Sequence, residues 1–158
     1  MGLILPRVYP ITDRRLSGLS HAEQVRRLIL GGATLIQLRD KDASPCDFYR
    51  QAADALEIAR KHNVKIVIND RVDVALALRA DGVHLGQTDL PPEAARRLLG
   101  ESAIIGFSTH NQTQAFVAAK LPVNYIAFGP VFRTSTKENA DPVAGLAALQ
   151  QADRKSVV

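Results

Sequence analysis

Two aspartates, Asp70 and Asp89, lie just beyond short apolar runs, Lys65 to Ile68 before the first and Gly82 to Leu85 before the second. If both runs are strands, the carboxylates sit in consecutive loops and converge on one rim, where they can hold one hard cation. Magnesium takes one or two protein carboxylates and completes its shell with water and substrate phosphate, so this pair suffices if a phosphorylated ligand shares the site. Asp70 also stands where an N-cap would stand, before Arg71-Val72-Asp73. Gln37, Arg39 and Lys41 alternate with Leu38 and Asp40, and along a strand residues two apart share a face. A guanidinium beside an ammonium suits a pyrophosphate, which needs forked hydrogen bonds and compensating charge. The same three residues also fit a strand leaving the core with a polar, exposed end. Lys137 lies in the run Arg133-Thr134-Ser135-Thr136-Lys137, whose threonine hydroxyls can bind phosphate oxygens while the ammonium neutralises a leaving group; such loops are also simply hydrophilic. Ser108 and His110 end another apolar run, the histidine being suited to acid/base work or to an ordinary structural hydrogen bond. His84, inside Val83-His84-Leu85, reads as a buried, hydrogen-bonded residue.

Placing these groups together requires a particular order of elements. Apolar runs at Val8 to Thr12, Thr34 to Leu38, Lys65 to Ile68, Gly82 to Leu85, Ala103 to Gly106 and Tyr125 to Phe128 predict strands. Apolar residues at three- and four-residue spacing predict helices over His21 to Leu30, Phe48 to His62, Val72 to Leu78, Pro92 to Leu99 and Thr113 to Lys120. Ser20, Asp70 and Asn111 are the expected caps of the first, third and fifth, and Gly31-Gly32 and Gly100 the expected stops. Val143 to Ala152 is an expected sixth helix, and Ser156-Val157-Val158 reads as a seventh strand beginning. Strict βα alternation implies a parallel sheet covered by helices. A doubly wound sheet would gather its ligand groups near one switch point, whereas a (β/α)8 barrel builds its site from the loops after many strands. Polar residues follow all six predicted strands here: Thr12-Asp13, Gln37 with Arg39, Asn69-Asp70, Gln87 with Asp89, Ser108 to His110, and Thr134 to Lys137. The expected fold is therefore α/β of TIM-barrel type, a single domain over residues 1–158, cut short after about six βα units.

With 158 residues and 46% hydrophobic content the chain has enough material for one core. Its formal charge of +4 is spread along the sequence, with arginine pairs Arg14-Arg15, Arg26-Arg27 and Arg96-Arg97 reading as solvated helix faces, which argues against nucleic acid. Cys46 has no second cysteine for a disulfide or paired zinc ligands. No apolar stretch has the length of a membrane span, and the expectation is a soluble, cytoplasmic protein. Walker loops, G-x-S-x-G elbows and dinucleotide glycine fingerprints are absent from the sequence.

Five segments in register, Ile36-Gln-Leu-Arg-Asp-Lys41, Ile68-Asn-Asp-Arg-Val-Asp-Val-Ala-Leu76, Ala80-Asp-Gly-Val-His-Leu-Gly-Gln-Thr-Asp-Leu-Pro91, Gly106-Phe-Ser-Thr-His-Asn111 and Phe128-Gly-Pro-Val-Phe-Arg-Thr-Ser-Thr-Lys137, resemble the thiamine-phosphate synthase family. The resemblance runs from about Tyr9 to Leu149. It implies a transferase that joins a pyrimidine pyrophosphate to a thiazole phosphate. Gln37, Arg39, Lys41 and Asn69 would bind the aminopyrimidine and its pyrophosphate, with Ser108 and Lys137 on the same pyrophosphate. Asp70 and Asp89 would hold Mg2+, and Thr134, Ser135 and Thr136 would contact the thiazole phosphate. Arg39, Lys41 and Lys137 would stabilise charge on the leaving group, with no protein nucleophile. The family continues into seventh and eighth strands that complete the thiazole-phosphate site, so an open barrel is expected here: a fragment, a truncated reading frame, a chain completed by a partner, or part of a homo-oligomer. The alternatives to a synthase are a related thiazole tautomerase, with His110 as its acid/base residue, and a non-catalytic remnant that binds phosphorylated ligands.

Overall fold

The computed structural model describes residues 3–133 and 142–156. Its strands are β1 (Ile11–Thr12), β2 (Leu35–Leu38), β3 (Lys65–Asn69), β4 (Gly82–Leu85), β5 (Ile104–Thr109) and β6 (Tyr125–Phe128). The helices are α1 (Arg14–Ser17), α2 (His21–Leu30), α3 (Pro45–Lys61), α4 (Val72–Leu78), α5 (Pro92–Leu99), α6 (Gln112–Ala118) and α7 (Gly145–Ser156). Side chains set several helix starts: Ser20, Ser44 and Asn111 each accept from the backbone N–H three residues on, satisfying a donor the first turn leaves open.

All six strands are parallel and hydrogen-bonded in sequence order, β1-β2-β3-β4-β5-β6. A doubly wound sheet would reverse direction partway, and this one does not. It also curls. In a flat sheet the five steps from β1 to β6 would cover about 24 Å at ~4.8 Å each. Yet the hydroxyl of Tyr9, just ahead of β1, is 3.0 Å from that of Tyr125 in β6. The architecture is the TIM-type α/β barrel expected from the alternation, open over its six strands.

The curl gives the strands two different faces. Ile36, Leu38, Ile66, Ile68, Val83, Leu85, Ile105 and Phe107 point outward and form the main core with Val25, Phe48, Ala52, Leu56, Ala75, Ala95 and Ala118 of the helices. Leu35, Val67, Ile104 and Tyr125 point inward and make a small apolar plug with Leu3 and Tyr9. Burial on both faces explains why the strands read as continuous apolar runs.

The structure departs from the sequence reading at several points. The first strand is Ile11–Thr12 only, with Val8 exposed. Asp70 does not cap α4: the N-cap position is Arg71, without a side-chain cap bond, because Asp70 itself takes a left-handed backbone, φ 61°. Ser156 belongs to α7 and not to a strand; Val157 and Val158 lie outside the described residues. Two arginines read as solvated are structural. Arg14 pairs with Asp40 and Asp47, and Arg96 donates to the carbonyls of Gly100, Ala103 and Pro122 and to Asn124 Oδ1, tying α5 to the ends of β5 and β6.

Candidate active site

Asp13, Arg39, Asp70 and Asp89 follow β1, β2, β3 and β4 respectively, so the carboxyl ends of four neighbouring strands form one rim. At Asp70 the backbone N–H donates to His84 O at 2.8 Å, extending the ladder past the end of β3. The left-handed turn that follows is one a short polar side chain tolerates, and it carries the carboxylate toward the loop after β4. There Asp89 Oδ2 accepts from Gly86 N at 2.6 Å. Gly86 leaves room for this: a Cβ at that position would lie 3.1 Å from Asp89 Oδ2.

The two carboxylates meet. Burial pushes the Asp70 carboxyl above its ordinary value, and Asp89, within hydrogen-bonding reach, pushes it further in the same direction. Lys41 opposes both, its Nζ 3.5 Å from Asp70 Oδ2. Paired carboxylates with one ammonium beside them fit a small dication, which would remove their mutual repulsion. Among the described residues no three His, Cys, Asp or Glu gather into a fuller ligand set; two carboxylates match magnesium that shares a phosphate.

Arg39 completes the cationic side. Its Nη1 is 3.2 Å from Asp13 Oδ2, both side chains being largely buried, while Asp13 Oδ1 caps α1 through Leu16 N. Gln37 is buried one turn of the pleat deeper, with Nε2 3.4 Å from Tyr9 Oη. Asn69, also buried, ends β3 opposite His84.

Across the interior runs a chain of hydrogen bonds that the sequence reading missed. Tyr9 Oη meets Tyr125 Oη at 3.0 Å, Tyr125 Oη meets His84 Nδ1 at 2.9 Å, and His84 Nε2 meets Ser108 Oγ at 2.8 Å. The His84 and Tyr125 rings stack, centroids 5.5 Å apart. Burial raises the pKa of both tyrosines, and that of Tyr125 further through its tyrosine neighbour, so both hydroxyls stay protonated. Tyr125 opens one expected strand and Tyr9 lies within another, and nothing in their spacing marked them as partners across the interior.

His84 is thus buried and hydrogen-bonded, as the sequence indicated. His110 Nδ1 is 2.7 Å from Gly129 O, a bond that fixes its ring against the end of β6. The structure therefore brings together Gln37, Arg39, Lys41, Asn69, Asp70, Asp89 and Ser108 at one mouth. Thr134, Ser135, Thr136 and Lys137 lie outside the described residues.

Comparison with known proteins adds an independent line. A sequence model of the family described as thiamine monophosphate synthase matches residues 8–157. A thiamine-phosphate synthase of Clostridium novyi is 47% identical over 153 residues, 96% of this chain and 75% of its own. One from Clostridium beijerinckii is 45% identical over 85% of this chain and 65% of its own. Among solved structures, a thiamine phosphate pyrophosphorylase from Pyrococcus furiosus superposes with a TM-score of 0.79 at 38% identity, over 91% of this chain and 67% of that one. The chain spans 63% to 75% of the length of such curated relatives.

Proposed function

The chain belongs to the thiamine monophosphate synthase family, a family of transferases, and from that premise we propose that it carries out the synthase reaction. The 4-amino-2-methylpyrimidin-5-ylmethyl group leaves its pyrophosphate and is captured by the ring nitrogen of a thiazole phosphate. The C–O bond breaks with its electron pair going to pyrophosphate, and the nitrogen lone pair forms the new C–N bond; thiamine phosphate and pyrophosphate are the products. The reading covers residues 1–158 as one barrel-type domain of a soluble, cytoplasmic enzyme of thiamine biosynthesis.

The observation that carries it is the meeting of Asp70 and Asp89 with Lys41 3.5 Å away and Arg39 on the same rim. A dissociating pyrophosphate develops negative charge, and preorganised cations at that spot lower the barrier more than any nucleophile would. Arg39 and Lys41 supply it, both now held by carboxylates that an anionic ligand would displace. Magnesium held by Asp70 and Asp89 would add its charge to the same oxygens. Gln37 and Asn69, buried beside them, offer amide donors and acceptors for an aminopyrimidine edge. Ser108 is assigned to the pyrophosphate with Lys137, and Thr134, Ser135 and Thr136 to the thiazole phosphate; these roles come from the family motif.

The test is to supply both substrates and magnesium and to measure thiamine phosphate, with inorganic pyrophosphate titrated separately by calorimetry. Product formation, and pyrophosphate uptake that requires magnesium, are expected. Asp89→Asn should lower turnover about 100-fold or more with the fold intact, the scale of losing one preorganised charge at a transition state. No magnesium-dependent uptake of pyrophosphate would sink the reading.

A further inference from the structure

We infer that Asp40, which touches no substrate in the reading above, is the positioning residue that aims Arg39 and Lys41 into the mouth. The inference rests on that reading of the mouth as a pyrophosphate grip.

Its basis is the alternation at the end of β2. Arg39 and Lys41 reach inward to Asp13 and Asp70, so the residue between them faces the other way, toward α1 and α2. Asp40 is nearly buried there, its side chain 10% exposed. One oxygen, Oδ1, accepts from Asp42 N at 3.2 Å and Ala43 N at 3.1 Å, which closes the loop around Lys41 into a turn. The other, Oδ2, lies 3.3 Å from Arg14 Nη1. Arg14 is itself anchored on Asp47 in the first turn of α3 at 2.8 Å. The carboxylate is therefore satisfied from behind and does not neutralise the two cations beside it in sequence.

A second anchor holds the other side of Arg39. Its backbone N–H donates to Thr12 Oγ1 at 3.4 Å, and that hydroxyl donates to Gln37 O at 3.3 Å. The same hydroxyl lies 2.7 Å from His21 Nδ1, a hydrogen bond that ties it to α2. His21 is fully buried, packed edge-on against Phe48, and its Nε2, 3.6 Å from Asp40 Oδ2, has no hydrogen-bond partner. The backbone bearing the cations is thus pinned on both sides by groups that never face the mouth. A misplacement of about 1 Å at a reacting centre costs up to ~100-fold, so such pinning has a measurable effect.

Two measurements decide it. Calorimetric titration with inorganic pyrophosphate and magnesium compares the parent chain with Asp40→Ala, Asp40→Asn and Arg14→Ala. Asp40→Ala is expected to weaken binding about tenfold, Asp40→Asn, which keeps the Oδ1 acceptor, less than about threefold, and Arg14→Ala by an intermediate amount. Backbone amide exchange at Asp42 and Ala43, read by NMR without ligand, should quicken in Asp40→Ala and stay near the parent rate in Asp40→Asn. Parent-like pyrophosphate affinity in Asp40→Ala overturns the assignment, as does an Asp40→Asn variant as weak as Asp40→Ala. If Asp40→Ala does not fold, an Arg14→Ala affinity equal to the parent's overturns it. If the parent takes up no pyrophosphate, the functional reading fails by itself, and unchanged exchange in Asp40→Ala then overturns the positioning role while quickened exchange supports it.

Discussion

At the scale of single residues, the rim stores electrostatic tension. Asp70 has its carboxyl pKa raised by burial and by Asp89, so the folded protein binds its proton more tightly than the unfolded chain does. The sign follows from linkage: this group's contribution to stability is fully present below the ordinary carboxylate value and is lost as pH rises through the raised one. Metal-free protein at neutral pH therefore carries a cost at this spot, discounted by Lys41 and by partial exposure. Asp70→Asn should raise the melting temperature at pH 7 without magnesium by about 2–4 °C, what ~1 kcal/mol gives at this chain length, and should shrink the gain seen on acidifying toward pH 4. Scanning calorimetry across pH checks both. The carboxylates were legible in the sequence because each stands just past a strand, where barrel sites are built. The Asp13–Arg39 pair was not, since it joins two loops 26 residues apart through a contact only the β1–β2 register creates. Nor was the Tyr9–Tyr125 pair, whose partners stand 116 residues apart and meet only through the curl of the sheet.

At the scale of elements, strand pairing dictates where side chains are forbidden. A Cβ on Gly82 would lie 1.9 Å from the Ile104 carbonyl oxygen of the neighbouring strand, and one on Gly106 would lie 2.1 Å from the Tyr125 ring and 2.5 Å from His84 Nδ1. Backbone cannot rotate aside; a ring can. Gly106→Ala is expected to cost about 1–3 kcal/mol, with the His84–Tyr125 bond disrupted, and Gly82→Ala to cost more, both within urea unfolding's reach. A Gly106→Ala protein as stable as the parent would mean the interior chain is looser than its distances. Six of the seven described helices, α2 to α7, and all the described strands were legible because their apolar spacing is dictated by which face is buried. α1 was not: four residues, Arg14–Ser17, carry no period, and it exists because Asp13 caps it and Gly18, φ 68°, ends it. β1 was overread for the same reason in reverse, since Val8 and Ile11 are apolar yet exposed.

At the scale of the molecule, the order β1 to β6 makes the sheet a chain of neighbours. The middle strands β3 and β4 have hydrogen-bonded partners on both sides, while β1 and β6 have one each. Amide exchange should therefore be slowest in β3 and β4 and fastest in β1 and β6, by a factor of about 100 or more, since protection follows local opening free energy. Equal protection throughout would require the two outer strands to be paired in solution. Barrel architecture was readable from polar residues recurring at strand ends; the degree of curl was not, because it depends on twist summed over five pairings and on the Tyr9–Tyr125 contact.

That nearest-neighbour order also bears on how the chain acquires its shape during synthesis. Each strand's hydrogen-bonding neighbour has been made one helix earlier, so a nascent polypeptide can dock every new βα unit onto an existing template as it leaves the ribosome. Strand pairing can thus proceed by accretion, whereas the interior plug must wait, since Tyr9 meets Tyr125 only once the last strand is made.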